Sequence, residues 1–146
     1  MLTGEYRNAV DEKGRLLVPS RVRNEIAGSM LVVTRGLDTC LWLFEPEVWT
    51  QFSEKIMGAT SPFDAKARVI QRRIIAPAQE IEIDKAGRIT IPQTLRDYAK
   101  LKKDSVILGI KKYLELWDEN EYLAYCESTE EAFQESAEEL GGLVPF

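Results

Sequence analysis

The chain has 146 residues, a hydrophobic fraction of 45% and a formal net charge of −5. This length supports one large core or two small ones, and no apolar run reaches the roughly 18 residues that a membrane helix needs. Histidine is absent, which excludes Ser-His-Asp and Cys-His chemistry and removes the commonest general base and metal ligand. Cys40 and Cys126 have neither the spacing of a metal site nor that of a disulfide framework. No enzyme activity, metal, cofactor or small-molecule substrate is expected. The opening MLTGEYRNAV has no basic cluster followed by an apolar stretch, so no signal peptide is expected and the expected location is cytoplasmic. The charge is unevenly placed. From Glu115 onward there are ten acids and no base, which leaves 19 bases against 14 acids, or +5, in residues 1–114. A basic body with an acidic tail is compatible with a polyanionic partner.

In chain order, an incoming strand carrying Arg7 leads to DEKG, Asp11–Gly14. Asp first and Gly fourth predict a type I turn with Gly in the left-handed conformation of a bulge. Arg15 opens a return strand, with Leu16 and Val18 facing the core and Arg15 and Leu17 facing away. Pro19 ends it and suits the first position of a short helix, which places Val22 and Ile26 on one face. A hairpin is predicted over LVVTRGLDTCLWLF, Leu31–Phe44, followed by a helix from Pro46 that buries Val48, Trp49, Phe52 and Ile56. SPFD, Ser61–Asp64, predicts a new helix start with Ser61 as the cap. Phe63, Ala67, Ile70 and Ile74 would form its apolar stripe, with Lys66, Arg68, Arg72 and Arg73 outside it and Pro77 ending it. EIEID, Glu80–Asp84, alternates like a half-buried strand. DKAG, Asp84–Gly87, then repeats the turn, followed by Arg88, Pro92 and a short helix with Leu95 and Ala99 on one face. A second hairpin covers SVILGIKKYLELW, Ser105–Trp117. Two acidic helices, Glu119–Cys126 and Ser128–Leu140, close the chain, the last with Phe133, Ala137 and Leu140 on one face. Trp42, Trp49 and Trp117 are expected in the core or at a subunit interface.

The two turns belong to an internal repeat. At an offset of 73, five positions of a thirteen-residue window are identical: Asp11/Asp84, Gly14/Gly87, Arg15/Arg88, Pro19/Pro92 and Arg23/Arg96. LWLF at Leu41–Phe44 matches LELW at Leu114–Trp117 in the same register. A unit of this size cannot bury much alone. Two units closing on each other about a pseudo-twofold axis would share one barrel-like core.

The tandem D-x-x-G-R-(L/I)-x-(V/I)-P resembles DNA-binding units of the SpoVT-AbrB type. Together with GEYRNAVDEKGRLLVPSRVR, ARVIQRRIIAPAQEIEID and IDKAGRITIPQTLR, it resembles the MraZ family of bacterial transcriptional regulators. The resemblance implies an α+β fold, a double-split β-barrel built from two AbrB-like repeats with peripheral helices. It divides the chain into a first unit (5–47), a helical connection (48–77), a second unit (78–121) and an acidic tail (122–146). It also implies a ring-shaped homo-oligomer that binds direct repeats of double-stranded DNA in the promoter of its own division and cell-wall operon, in association with the nucleoid.

The candidate DNA-binding residues are Arg15, Arg88, Lys13, Lys85 and Arg7. A guanidinium at the rim of a β-ribbon can reach phosphate or a guanine edge. The alternative for Arg15 and Arg88 is an ion pair with Asp11 or Asp84 across the turn, and the two roles are compatible. Asp11, Gly14, Pro19, Asp84, Gly87 and Pro92 are expected to be architectural, because a carboxylate facing phosphate is repelled while Asp at the start of a turn stabilises it. A scaffold or antitoxin use of the same fold would not need two Arg-tipped turns.

Overall fold

The computed structural model describes residues 2–145. The first half contains β1 (Leu2–Ala9), β2 (Arg15–Leu17), α1 (Ser20–Arg23), β3 (Met30–Arg35), β4 (Leu41–Phe44) and α2 (Pro46–Ala59). The connection is α3 (Ala65–Ile70), continued by a π-helical turn, Gln71–Ile75. The second half contains β5 (Gln79–Glu82), β6 (Arg88–Thr90), α4 (Gln93–Tyr98), β7 (Asp104–Lys111), β8 (Leu114–Asp118), α5 (Glu119–Ser128) and α6 (Glu130–Leu143). The chain is thus a mixed α+β structure.

Six strands form one antiparallel sheet in the order β1-β7-β8-β4-β3-β5, and β2 and β6 form a separate two-stranded ribbon. This order is a palindrome of the repeat. β1 of the first unit pairs with β7 of the second, and β5 of the second pairs with β3 of the first. The axis can be located from the register. Leu16 pairs with Ile89 in the ribbon, and Trp42 pairs with Glu115 at the centre of the sheet. Each of these residues therefore faces its own counterpart in the repeat, which requires a pseudo-twofold axis through both pairs.

The pairing expected across each Asp–Gly turn, β1 with β2 and β5 with β6, is therefore replaced by exchange, while the hairpins predicted over Leu31–Phe44 and Ser105–Trp117 form as β3–β4 and β7–β8. The return strands β2 and β6 pair with each other, and an isolated bridge, Val10–Leu16, links β2 to the segment before its turn. A three-residue strand has too few ladder bonds to stand alone, and pairing with its counterpart lets Leu16 and Ile89 seal the centre of the core. Among the described residues the strand pairings do not close into a single barrel, and β1 and β5 remain the edges of the six-stranded sheet.

Side-chain alternation along the strands gives the sheet two apolar faces. Leu41, Leu43, Leu114 and Leu116 join Leu16, Val18, Val22, Ile89, Ile91 and Leu95 beneath the ribbon and the short helices. Trp42, Phe44 and Trp117 point the other way, with Ile74 and the partly buried Val48, Trp49, Phe52 and Ile56 of α2. All three tryptophans thus lie in this second core. Buried Thr34 donates to the Ile74 carbonyl (2.6 Å) and pins the π-helical turn to the sheet. The ribbon lies on one side of the sheet, and α2, the π-helical turn and α5 lie on the other.

Two local expectations need correction. Ser61 does not cap a helix. Ser61–Asp64 is a turn closed by Asp64 N–H to Ser61 C=O (3.0 Å), and Asp64 is the cap, accepting from Lys66 N–H (3.0 Å). Phe63 therefore falls outside the helix and is 94% exposed, whereas Ala67 and Ile74 are buried. Pro19 and Pro92 stand at the cap positions of α1 and α4, one residue before the helices begin. The locked φ of proline presets the extended entry that both caps show.

Leu16 and Ile89 are 1% and 2% exposed, so Leu16→Ala and Ile89→Ala are each expected to cost about 2–5 kcal/mol. Since each unit's first strand is paired within the other unit, denaturant should unfold both variants in one transition. Two resolved transitions would contradict the interlocked core.

Candidate nucleic-acid interface

The site is built from two turns and the ribbon between them. In the first turn Gly14 N–H donates to Asp11 C=O (2.9 Å) and Asp11 N–H donates to Arg15 C=O (3.0 Å). In the second, Gly87 N–H donates to Asp84 C=O (2.9 Å) and Asp84 N–H donates to Arg88 C=O (2.8 Å). Gly14 and Gly87 have φ of +81° and +82°, a region where a side chain is strained. This is a type I turn followed by a left-handed glycine, used twice.

Each aspartate caps its own turn. Asp11 Oδ1 accepts from the N–H groups of Lys13 and Arg15 (both 2.9 Å), and Asp84 Oδ1 accepts from those of Ala86 and Arg88 (both 2.9 Å). The Arg15 N–H is the main cause holding the Asp11 carboxyl below the ordinary aspartate range; desolvation opposes it, and the Arg15 guanidinium and the Lys13 N–H add to it. Asp84 is lowered in the same way, chiefly by the Arg88 N–H.

The guanidinium groups differ between the copies. Arg15 Nε donates to Asp11 Oδ2 at 2.7 Å. Arg88 Nε lies 3.9 Å from Asp84 Oδ2 and is buried without a hydrogen bond. An unsatisfied buried donor is costly, so Arg88 holds a donor that its own turn does not use. On the ribbon, Arg15 stands opposite Thr90 and Leu17 opposite Arg88. Leu16 and Ile89 point into the core, so these four residues form the outward face. Leu17 is 43% exposed there.

Two further arginines meet this surface. Arg23 Nε donates to Val18 C=O and Arg96 Nε to Ile91 C=O (both 2.9 Å). A side chain at Gly87 would collide with the Arg23 guanidinium at 2.5 Å, and one at Gly14 with that of Arg96 at 2.6 Å. Each unit thus lays an arginine against the turn of the other, and the contact is reinforced by Val18 N–H to Gly87 C=O (2.9 Å) and Ile91 N–H to Gly14 C=O (2.8 Å). The signal was present in the sequence, since Arg23 and Arg96 are identical repeat positions. Their role was not legible, because each acts on a residue about 64–82 positions away.

The structure brings Arg15, Arg88, Asp11, Asp84, Gly14 and Gly87 together, with Lys13 and Lys85 exposed on the turns. Arg7 is engaged elsewhere, with Glu5 (3.0 Å) and with Glu119 of α5 (3.6 Å). Pro19 and Pro92 form the start of the short helices that carry Arg23 and Arg96.

The same two-unit pattern is found in known proteins. The family described as "MraZ protein, putative antitoxin-like" matches residues 1–73 and again 74–142. The chain belongs to the MraZ family. A relative named Transcriptional regulator MraZ from Treponema denticola is 52% identical over 140 residues, covering 96% of this chain and 97% of that one. Its namesake from Treponema pallidum is 45% identical, covering 97% and 95%. Another MraZ, from Caldanaerobacter subterraneus, is 40% identical and covers 96% of each chain.

Lowered aspartate pKa values set a sign for pH dependence. Both carboxyls are more acidic in the folded than in the unfolded chain, so their stabilisation is complete above the unfolded value and is lost as pH falls through the folded ones. Carboxyl resonances of Asp11 and Asp84 in an NMR titration are expected to move below the midpoints of solvent-exposed aspartates. Ordinary midpoints at both sites would contradict the capping network.

Proposed function

We propose that this MraZ family member is a DNA-binding transcriptional regulator and not an enzyme, and that the outward face of the β2–β6 ribbon is its DNA contact. The observation that carries this reading is the convergence of two Arg-bearing turns on one face, related by a twofold axis. A two-stranded ribbon fits the major groove, and a pseudo-twofold surface can present the same chemistry to both sides of it. Arg15 and Arg88, whose side chains are 37% and 40% exposed beside Asp11 and Asp84, supply the guanidinium contacts. Lys13 and Lys85 add phosphate contacts, and Arg7, already held by two carboxylates, contributes least. Asp11, Gly14, Asp84 and Gly87 shape the turns, and Arg23 and Arg96 brace them. The strand exchange between units supports placing the fold with the double-split barrels of the SpoVT-AbrB type.

One such ribbon is a small contact. The reading therefore includes a ring-shaped homo-oligomer that presents several ribbons to direct repeats in the promoter of its own division and cell-wall operon, in the cytoplasm at the nucleoid. Once one ribbon is seated, the next binds at high effective concentration. Planar ring and straight duplex meet at few points, so bending of the DNA or deformation of the ring accompanies binding.

Fluorescence anisotropy with duplex promoter repeats tests this at several salt concentrations. Binding by the intact protein should weaken steeply with salt as phosphate counterions are released. Arg88→Ala should lose about 1–3 kcal/mol of binding with less loss of stability than Arg15→Ala, because its guanidinium makes only a 3.9 Å ion pair with Asp84 and its Nε no hydrogen bond. Arg15→Ala should lose binding and also some stability through the broken Asp11 contact. Salt-insensitive binding, or full affinity in the Arg15→Ala/Arg88→Ala double variant, would exclude the ribbon as the contact surface.

A further inference from the structure

The helix-side face of the sheet holds a feature that the DNA reading leaves unused. A cavity of about 230 Å³ opens between α2 and the β7–β8 turn, walled by Trp42, Phe44, Phe52 and Tyr113 with the exposed Lys55 and Lys112 beside them. Its walls are edge-to-face and tilted aromatic pairs: Trp42–Tyr113 at 5.5 Å, Trp42–Phe52 at 5.9 Å and Phe44–Tyr113 at 5.6 Å between ring centres. Among the described residues no carboxylate lines it.

The opening lies where the two repeats differ. Phe44 and Phe52, stacked at 5.3 Å, correspond to Trp117 and Tyr125, which meet at a tilt at 5.0 Å in the other half. There the longer β3–β4 connection, residues 36–40, brings Asp38 near Tyr125, whose phenol is pushed up by burial first and then by the Asp38 and Glu115 charges. The β7–β8 connection is only Lys112 and Tyr113. Beside this shorter turn the first half holds the cavity, while Tyr125, at the position matching Phe52, is 38% exposed.

A matching knob lies on α6. Phe133, Ala137 and Leu140 share one helical face by their i, i+4, i+7 spacing. Phe133 is 66% and Leu140 57% exposed, and no residue of α6 is buried. Every charged residue of this helix is acidic: Glu130, Glu131, Glu135, Glu138 and Glu139. Glu130 lies one turn before Phe133, on the border of the apolar face.

We propose that α6 of one copy docks on the aromatic cavity of a second copy, with Phe133 in the cavity, Leu140 further along α2, and the acidic helix held by Lys55 and Lys112. The occupant follows from complementarity. The cavity is aromatic with two ammonium groups and no carboxylate, while the tail is an apolar stripe on a wholly anionic helix. This is the helix-in-groove mode of recognition. Knob and cavity are different surfaces, so the contact is head-to-tail. Such contacts propagate until the rotation closes a ring. The cavity and α2 lie on the opposite side of the sheet from the ribbon, so assembly leaves the arginine turns free. The proposal deepens the self-association part of the reading above and rests on it, but not on DNA binding.

The test is the mass of the full-length protein in solution by light scattering. The variants are Phe133→Ala/Leu140→Ala, which lacks the knob, and Lys55→Glu/Lys112→Glu, which has an altered cavity rim; circular dichroism checks that both stay folded. Because all four side chains are exposed, both variants are expected to fold as the parent does. The parent should be an assembly, and each variant should self-associate about tenfold or more weakly. Mixed together, the two variants retain one intact knob and one intact cavity, so they should form a 1:1 dimer and nothing larger. A parent assembly whose mass neither variant changes would overturn this interface and leave the ring reading standing. Variants that disassemble but form no 1:1 dimer when mixed would overturn the head-to-tail pairing. A parent that is monomeric throughout would overturn both this interface and the ring.

Discussion

The structure depends on one pairing, Leu16 against Ile89. These residues occupy the same place in the two repeats and face each other across the axis, each almost fully buried. Such a pair is possible only if the return strands leave their own units. Once they do, the remaining connections follow. β1 and β5 run to opposite edges of the sheet and pair there with strands of the other unit. The short helices pack beneath, and the two turns stand at the two ends of the ribbon. Neither unit has a complete core without the other. The burial of side chains from both units in one cluster makes the exchange stable against the entropy of ordering two long crossovers.

The turns show how a local motif is locked by a distant one. Within each turn the aspartate satisfies two N–H groups and the glycine takes the conformation that a side chain would strain. Across the axis, an arginine of the other unit lies where a glycine side chain would be. Glycine is therefore required twice over, by backbone conformation and by the space that Arg23 or Arg96 fills. The outward arginines are thus mounted on a rigid base, which lowers the entropy that a recognition surface must lose on binding.

The two halves are alike in their core and different at their rims. Arg15 hydrogen-bonds its aspartate at 2.7 Å, whereas Arg88 keeps only a looser ion pair with its own at 3.9 Å. One aromatic cluster lies beside a five-residue connection, and the other holds a cavity beside a two-residue turn. α2 follows β4 as a packed helix, whereas α5 leads on to an acidic helix that buries nothing in its own chain. Identical halves would present identical surfaces and favour closed pairs; these differences give the molecule a distinct knob and a distinct cavity.

Much of this was legible in the residues. The offset of 73 shows when the sequence is aligned with itself, and the Asp–Gly turn chemistry, the alternation of Leu16 and Val18 with Arg15 and Leu17 and the stripe Val48, Trp49, Phe52 and Ile56 depend on neighbours within a few positions. Local sterics and periodicity determine such features, and they appear in the structure as read. The stripe through Phe63 was misread for an equally local reason, because Asp64 outcompeted Ser61 for the cap. Only the tertiary structure decided which strand pairs with which, because a strand's pattern specifies which face is buried but not the partner that buries it. The same holds for the bracing by Arg23 and Arg96, the unsatisfied Nε of Arg88 and the open aromatic cavity. Each arises where segments far apart in sequence meet, and the pseudo-twofold axis that brings them together is a property of two units packed as one.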